Sequence, residues 1–162
     1  MLKKLFMLIV AGFFLASCAA TKTEQGGDVD AASASSSSGG EITAGTQEDL
    51  IVNVGDRVFF EFDSSELTVD AQATLDAQAA WLMQYPDTNI TVEGHADERG
   101  TREYNLALGD KRAFSVYSYL AQAGIDTNRM EYVSWGKERP EVIGSDETAY
   151  SQNRRGVTLV SN

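Results

Sequence analysis

From residue 50 onward, short apolar runs alternate with stretches in which apolar residues recur at helical spacing. Arg57–Phe62 is rich in aromatic and β-branched residues and predicts a strand. After Thr68, a typical N-cap residue, apolar positions repeat every three or four residues until Pro86, which predicts a helix. The face of this helix that we expect to be buried consists of Ala71, Leu75, Ala79 and Leu82.

The same alternation continues through the second half of the domain. The further elements are predicted at Asn89–Glu93 (strand), Glu103–Ala123 (helix), Met130–Trp135 (strand), Glu147–Gln152 (helical turn) and Arg155–Val160 (strand). Gly124 stands where a helix commonly ends in a left-handed residue. The buried face of the second helix is expected at Leu106, Gly109, Ala113, Val116 and Leu120.

This order of elements predicts an α/β (α+β) fold, a two-layer sandwich in which helices pack on one face of a mixed four-stranded sheet. The strand–helix–strand units favour right-handed crossovers and parallel pairing, whereas the last strand follows a short connection and can pair antiparallel. The domain is expected to span residues 50–162, which is an ordinary size for one domain with one hydrophobic core.

The first 17 residues have the pattern of a signal peptide. Lys3 and Lys4 precede the almost unbroken apolar run Leu5–Leu15. Eleven helical residues extend about 16 Å, roughly half of a ~30 Å hydrocarbon core, so a cleaved signal is favoured over a membrane span. The run leads into Leu15-Ala16-Ser17-Cys18, which resembles a bacterial lipobox.

The lipobox resemblance implies cleavage before Cys18 and a covalent lipid on this residue. Several acyl chains on one residue anchor a protein stably, so we expect the chain to be attached to a membrane. An Asp directly after the lipidated Cys resembles an inner-membrane retention signal. This chain has Ala19 at that position, which favours sorting to the outer membrane. The alternative is an ordinary secretory signal with an unrelated cysteine.

Residues 18–49 separate this anchor from the domain. The segment is rich in Ser, Gly and Ala and poor in large apolar residues, so it buries too little surface to offset the entropy of ordering. We therefore predict that the lipidated Cys18 begins a flexible tether, which extends to at most about 100 Å. The alternative is a leader without a role of its own.

Charge and composition exclude several functional classes. Thirteen Lys+Arg against 24 Asp+Glu give a net charge of -11, so no nucleic-acid partner is expected, because phosphate binding requires a basic surface. A single Cys excludes a disulfide framework, and one Cys with one His disfavours a zinc site. We expect no metal and no cofactor apart from the lipid on Cys18.

The loop Gly94–Gly100 joins the second predicted strand to the second predicted helix. Ligands commonly bind at such loops in open α/β sheets, and a helix N-terminus offers unpaired N–H groups to anions. Asp97 lies in the loop, while Asn105 and Arg112 lie about two helical turns apart on nearly one side of the helix. A carboxylate, an amide and a guanidinium in this arrangement suit a small zwitterion. The alternative is a structural ion pair between Asp97 and Arg112.

Four segments together indicate a family. They are VFFEFDSSEL (58–67), GHADERGTREYNLALGDKRA (94–113), SWGKERP (134–140) and SQNRRGV (151–157). These segments resemble the outer membrane protein A-like (OmpA-like) domain family, and the lipobox and tether resemble its lipoprotein branch. The resemblance covers essentially the whole chain, and the second segment is far denser than a lone glycine pattern.

The resemblance implies non-covalent binding of the diaminopimelate residue in the stem peptide of peptidoglycan. It assigns the side-chain ammonium of this ligand to Asp97, its carboxylate to Arg112 and a further peptide contact to Asn105, while loop amides would bind the other carboxylate. Weaker supporting roles are expected for His95, Gly94 and Arg155.

The implied function is that of an outer-membrane lipoprotein whose periplasmic domain tethers the membrane to the cell wall. The resemblance also implies partners of the Tol system, including its periplasmic propeller protein, and roles in envelope integrity and in constriction of the outer membrane at cell division. We expect no enzymatic activity and no catalytic residues.

Two alternatives remain. The first is a cell-wall hydrolase or amidase, for which Glu93, Asp97 and Glu98 would supply carboxylates. One His and a lipidated Cys, however, provide neither a nucleophile with its base nor a metal with three ligands. The second alternative is a lipoprotein whose domain mainly contacts other proteins.

Overall fold

A computed structural model describes residues 42–161 of the chain. The predicted signal peptide, Cys18 and most of the predicted tether lie outside the described residues. The elements in chain order are α1 (Gln47–Asn53), β1 (Arg57–Phe59), α2 (Val69–Gln84), β2 (Ile90–His95), α3 (Arg102–Gln122), a 3₁₀ turn (Thr127–Arg129), β3 (Met130–Gly136), α4 (Glu147–Asn153) and β4 (Arg155–Val160). Within the described residues, none of these helices is long and apolar enough to cross a membrane.

The strands form one mixed sheet in the order β1-β4-β2-β3. β2 and β3 pair in parallel, with Val92 opposite Tyr132, and α3 connects them. β4 runs antiparallel to both β1 and β2, as the short connection before it allows. The predicted α/β fold with a mixed four-stranded sheet is therefore confirmed. β1 and β2 have the same direction but are not neighbours, because β4 lies between them.

Helices α2 and α3 contact the sheet and each other, and they form the second layer. The side chain of Thr68 accepts a hydrogen bond from the backbone N–H of Ala71 at 3.1 Å, which confirms the predicted N-cap of α2. Gly124, with a φ of 100°, follows the end of α3 as predicted. The core between the layers includes Leu75, Leu82, Ile90, Val92, Val116 and Leu120.

Helix α3 approaches the sheet very closely where Gly109 faces Gly94 of β2. A Cβ atom on Gly94 would lie 1.9 Å from the carbonyl oxygen of Gly109, and a Cβ atom on Gly109 would lie 2.4 Å from Ser134 Oγ. Side chains are therefore excluded at both positions. This contact holds the first half of α3 over the end of β2, where the loop with Asp97 begins.

The predicted buried face of α3 is wrong at one position. Leu106 is 49% exposed, whereas its neighbour Asn105 is buried. Helical spacing predicts which residues share a face, but it does not fix the edge of that face. Asn105 and Arg112 point inward because backbone carbonyls of the adjoining loops accept hydrogen bonds from their side chains.

The predicted boundary between tether and domain at Leu50 falls inside α1, which begins at Gln47. Leu50 is fully buried, and the Asp49 carboxylate accepts a hydrogen bond from Trp81 Nε1 at 2.9 Å. This short helix escaped prediction because one leucine and side-chain hydrogen bonds hold it, without any apolar periodicity.

Three strands also differ in length from the prediction, and for β3 the difference is the single residue Gly136. β1 ends at Phe59, and the chain soon turns through Asp63, which has a φ of 53°. β2 extends through Gly94 and His95, because Gly94 still pairs with strands on both sides.

Candidate functional site

A cavity of about 200 Å³ lies where the loops after β1 and β2 meet the first turns of α3. Asp97, Asn105 and Arg112 all line this cavity, so the structure brings the three predicted binding residues together. The other lining residues are Phe62, Asp63, Arg99, Gly100, Tyr104 and Leu108. The sign and position of their charges determine which ligand the cavity suits.

Arg112 is fully buried, and backbone carbonyls hold its guanidinium. Nε donates to Ser64 O at 2.8 Å, Nη1 to His95 O at 2.8 Å, and Nη2 to Glu61 O at 3.1 Å. A guanidinium has five N–H groups, so one on each Nη atom remains for a further acceptor. The side chain is therefore rigid and still able to form a fork with a carboxylate.

The charge of Arg112 persists despite its burial. Burial lowers the pKa of Arg112 to about 10, and the negative charge of Asp97 acts in the opposite direction. The guanidinium is therefore protonated at neutral pH. Within the described residues its hydrogen-bond acceptors are carbonyls, and it has no carboxylate partner of its own.

Asp97 is buried, and arginines engage both of its oxygens. Oδ1 accepts from the backbone N–H of Arg99 at 3.1 Å and from its Nε at 3.2 Å. Oδ2 accepts from Arg99 Nη2 at 2.7 Å and from Arg154 Nη1 at 3.4 Å. Burial disfavours the ionised form, but the hydrogen bonds and charge of Arg99 outweigh it and lower the pKa of Asp97. The ion pair of Asp97 with Arg112, which the sequence left open as an alternative, is not formed within the described residues, where Asp97 pairs with Arg99 and Arg154 instead.

Arg99 covers one side of the cavity. Its guanidinium carbon lies 4.2 Å from the centroid of the Phe62 ring and 4.3 Å from that of the Tyr150 ring. Its backbone carbonyl accepts a hydrogen bond from Asn105 Nδ2 at 2.7 Å. Asn105 therefore fixes the loop that carries Arg99 and Asp97, in addition to lining the cavity.

Asp63 is a cavity residue that the sequence did not single out. Its carboxylate accepts a hydrogen bond from the Tyr104 hydroxyl, and Tyr104 also lines the cavity. A positive φ in a non-glycine residue is uncommon, although Asp adopts it more readily than most residues. Asp63 lies just before Ser64, within the segment 58–67 that resembles the family. This position is the sequence signal from which it could have been identified as a site residue.

Gly94 and His95 support the site from β2 without lining it. The backbone carbonyl of His95 accepts from Arg112, whereas its ring lies away from α3, 3.3 Å from Glu93 Oε2. Burial, followed by the charge of Arg155, lowers the pKa of His95 to about 4. His95 is therefore neutral at neutral pH.

Arg155 does not line the cavity. Its Nη2 lies 3.3 Å from Arg139 O and 3.4 Å from Glu141 Oε2. The preceding residue, Arg154, is the one that reaches Asp97 from the start of β4. Its Nη2 also lies 2.7 Å from Glu147 Oε1.

The cavity thus combines two carboxylates, Asp63 and Asp97, with the guanidinium groups of Arg99 and Arg112. Charges of both signs within so small a volume suit a ligand that itself carries both signs. Within residues 42–161, no group of three or more His, Cys, Asp or Glu side chains is placed to hold a metal ion.

Comparison with known proteins places the chain in a family. Residues 59–154 match the OmpA family. The chain is 56% identical over 121 residues to the peptidoglycan-associated lipoprotein of Rhizobium meliloti (strain 1021). This match covers 75% of this chain and 69% of the relative. It is 48% identical over 153 residues to the protein of that name in Mesorhizobium japonicum, covering 94% of this chain and 89% of the relative.

A solved structure agrees with these relatives. The crystal structure of the peptidoglycan-associated lipoprotein from Burkholderia pseudomallei matches with a TM-score of 0.64 and 43% identity, over 65% of this chain and 90% of that chain. The fold, the motif around the cavity and the relatives lead to one conclusion. The chain belongs to the OmpA family and, within it, to the peptidoglycan-associated lipoproteins.

Proposed function

We propose that this chain is an outer-membrane lipoprotein whose domain binds the diaminopimelate-containing stem peptide of peptidoglycan without making or breaking a covalent bond. The observation that carries the proposal is the buried guanidinium of Arg112, which has carbonyl partners only within the described residues. A buried cation without a carboxylate partner is costly. A ligand carboxylate that accepts from the two remaining N–H groups would compensate this charge.

The carboxylates of the cavity support a ligand that has an ammonium group beside this carboxylate. The side chain of diaminopimelate carries both groups on one carbon atom. Asp97 already accepts from arginine on both oxygens, so the ammonium reaches it only when Arg99 moves aside. Asp63 has the Tyr104 hydroxyl as its donor and needs no such change. We therefore propose Asp63 and Asp97 together as acceptors for the ammonium, with Asn105 positioning the loop.

The rival reading, a cell-wall hydrolase, finds little support in the same residues. Glu93 accepts from Trp135 Nε1 at 2.8 Å, and Glu98 accepts from the Tyr150 hydroxyl at 3.0 Å. Neither lines the cavity opposite Asp97, as a pair for glycoside cleavage must. The pKa of Asp97 is lowered, whereas a general acid requires a raised one.

The anchor extends the proposal to the whole chain. A lipid on Cys18, with residues 18–49 as a tether, would hold the domain in the periplasm within reach of the cell wall. The names of the relatives support this arrangement. A Cys18→Ser chain should leave the membrane fraction, and persistent membrane association would contradict the anchor.

We further propose that the domain contacts proteins of the Tol system, including its periplasmic propeller protein. The chain would then contribute to envelope integrity and to constriction of the outer membrane at division as part of the Tol–Pal system. The family membership supports this part of the proposal. Capture of the purified propeller protein by the full chain tests it, and absence of capture at micromolar concentration would contradict it.

Sedimentation of the full chain with purified diaminopimelate-type peptidoglycan tests the binding itself. We expect saturable co-sedimentation without release of soluble muropeptides. Arg112→Lys should weaken binding by roughly 10- to 100-fold, because an ammonium cannot form the fork that a guanidinium forms. Wild-type affinity in this variant, or released muropeptides, would contradict the proposal.

A matched control and a second variant keep this test informative. Arg102 lies on the same helix, is largely exposed and pairs with Glu138 at 3.0 Å, so Arg102→Lys should bind like the wild type. If Arg112→Lys fails to fold, Asp63→Asn replaces it. Asp63 is exposed at the cavity rim, and its loss should weaken binding by roughly tenfold.

A further inference from the structure

We propose that a second cavity, adjacent to the first, binds an N-acetylated sugar of the glycan strand. The domain would then hold the cell wall through both its peptide and its glycan. This inference rests on the proposed function, because binding of the stem peptide brings the sugar to this place.

The second cavity has a volume of about 510 Å³ and lies between the free edge of β1, the start of α2 and helix α4. Volumes of this order are typical of small-molecule sites. Its lining includes an aromatic ring, two carboxylates, an amide and two hydroxyl groups, supplied by Phe59, Glu61, Asp70, Gln152, Thr74 and Ser151. These are the groups that a polyhydroxylated ligand requires.

The carboxylates of this cavity are available to a ligand. Among the described contacts of Glu61, its backbone carbonyl accepts from Arg112, and the backbone carbonyl of Asp70 accepts from Thr74. Among residues 42–161, neither side-chain carboxylate has a hydrogen-bond or ion-pair partner, so both can accept from sugar hydroxyls. The Phe59 ring is 41% exposed and offers an apolar surface to the C–H groups of a sugar.

The lining of the second cavity carries charges of both signs. Arg57 and Arg154 line it together with Glu61 and Asp70, but both arginines have carboxylate partners outside the lining, and Arg154 Nη2 lies 2.7 Å from Glu147 Oε1. Arg57 is also paired with Asp56 at 2.9 Å. The two free carboxylates could therefore also accept a basic peptide, and the sugar is the preferred occupant because the bound stem peptide brings it to this place.

Arg154 and the backbone of Glu61 link the two cavities. Arg154 lines the second cavity, and its Nη1 lies 3.4 Å from Asp97 Oδ2 in the first. Glu61 lines the second cavity, and its backbone carbonyl accepts from Arg112 of the first at 3.1 Å. In the stem peptide, two residues and a lactyl group separate diaminopimelate from the sugar, roughly 10 Å when extended. A diaminopimelate bound at Arg112 therefore brings its sugar within reach of the second cavity.

Calorimetry with two ligands tests this inference on the full chain in detergent. One ligand is the tripeptide L-Ala-D-Glu-diaminopimelate, and the other is the same tripeptide attached to its disaccharide. We expect the disaccharide form to bind roughly fivefold to tenfold tighter, as two added hydrogen bonds would give. The double variant Asp70→Asn/Gln152→Ala should lose this gain and keep the tripeptide affinity. Both side chains are exposed, so the variant should fold.

The outcomes separate this inference from the proposed function. Asp87→Asn/Gln84→Ala is the matched control, because these exposed residues lie outside both cavities and should leave the gain unchanged. Equal affinity for both ligands, or a gain that persists in Asp70→Asn/Gln152→Ala, would overturn the sugar site and leave peptide binding in place. Preferential binding of oligolysine at these residues would replace the sugar with a basic peptide. Absence of binding by either ligand would overturn both proposals.

Discussion

Arg112 and Arg155 are both buried near the end of β2, and their partners differ. Arg112, from α3, bonds three backbone carbonyls on the cavity side of the sheet. Arg155, at the start of β4, lies beside a carbonyl and also beside the carboxylate of Glu141 at 3.4 Å. Burial alone therefore does not mark the arginine that we propose for binding. The two arginines differ in their carboxylate partner. Arg155 has one within the protein, whereas Arg112 would receive one from a ligand.

His95 connects these two environments. Its backbone carbonyl holds Arg112, while its ring lies beside Glu93 and close enough to Arg155 for that charge to lower the pKa of the imidazole. A substitution at the end of β2 would therefore alter the surroundings of both arginines. Substitutions in each environment separate the two, and those in the packing on which Arg112 depends should have the larger effect.

Gly94→Val should have the largest effect, because it removes the packing that places α3 over β2. The new Cβ atom would lie 1.9 Å from a backbone oxygen of Gly109, which cannot move independently of the helix. We expect a loss of about 4 kcal/mol or more in the free energy of unfolding, measured by urea denaturation. Thr91→Val, on the same strand but facing away from α3, is the control. A loss below about 1 kcal/mol for Gly94→Val would contradict the close approach.

The sequence predicted which residues line the cavity better than it predicted which of them form ion pairs with one another. The spacing of Asn105 and Arg112 along one helix is fixed by helical geometry, and the structure brings both to Asp97 as expected. The partner of Asp97 depends on loop conformation instead. Arg99 is only two residues away, and the loop folds its guanidinium back onto the carboxylate.

Contacts between distant segments were the least predictable part. Asp63 and Arg154 reach the cavity from loops far apart in the chain, and no periodicity relates them to α3. The resemblance-based expectation named Arg155, whereas the residue that contacts Asp97 is Arg154, which caps the end of α4 one position before β4. Leu106 was misplaced for a similar reason, since it lies one position outside the buried face of α3.

The pH dependence of stability should reveal the environment on the side of Arg155. Burial, followed by the charge of Arg155, lowers the pKa of His95 from 6.5 to about 4. Between these values the unfolded chain binds a proton that the folded chain does not, so stability falls as the pH decreases through this range. We expect a loss of about 3 kcal/mol in the free energy of unfolding between pH 7 and pH 4. Urea denaturation across this range measures it.

His95→Gln is the variant that isolates this contribution. Asp49 and Asp97 have lowered pKa values, so their contribution is lost only below the ordinary range of Asp and does not overlap the window. The variant should therefore lose most of the slope between pH 6.5 and pH 4.5. An unchanged slope would show that His95 titrates normally and that the surroundings of its ring are open to water.

Arg155→Lys should have the smallest effect, and it tests directly whether Arg155 and Arg112 have different roles. Replacing the guanidinium removes the contacts of its Nη2 with Arg139 O and Glu141, which should lower the free energy of unfolding by about 1 kcal/mol. Binding to purified peptidoglycan should change less than twofold, because Arg155 does not line the cavity. Sedimentation beside Arg112→Lys, at equal folded fraction, compares the two arginines. A tenfold loss of binding in Arg155→Lys without a loss of stability would give this residue a direct part in binding, beyond the supporting role that the family resemblance implied. The carboxylate partner would then not distinguish a structural arginine from a binding one.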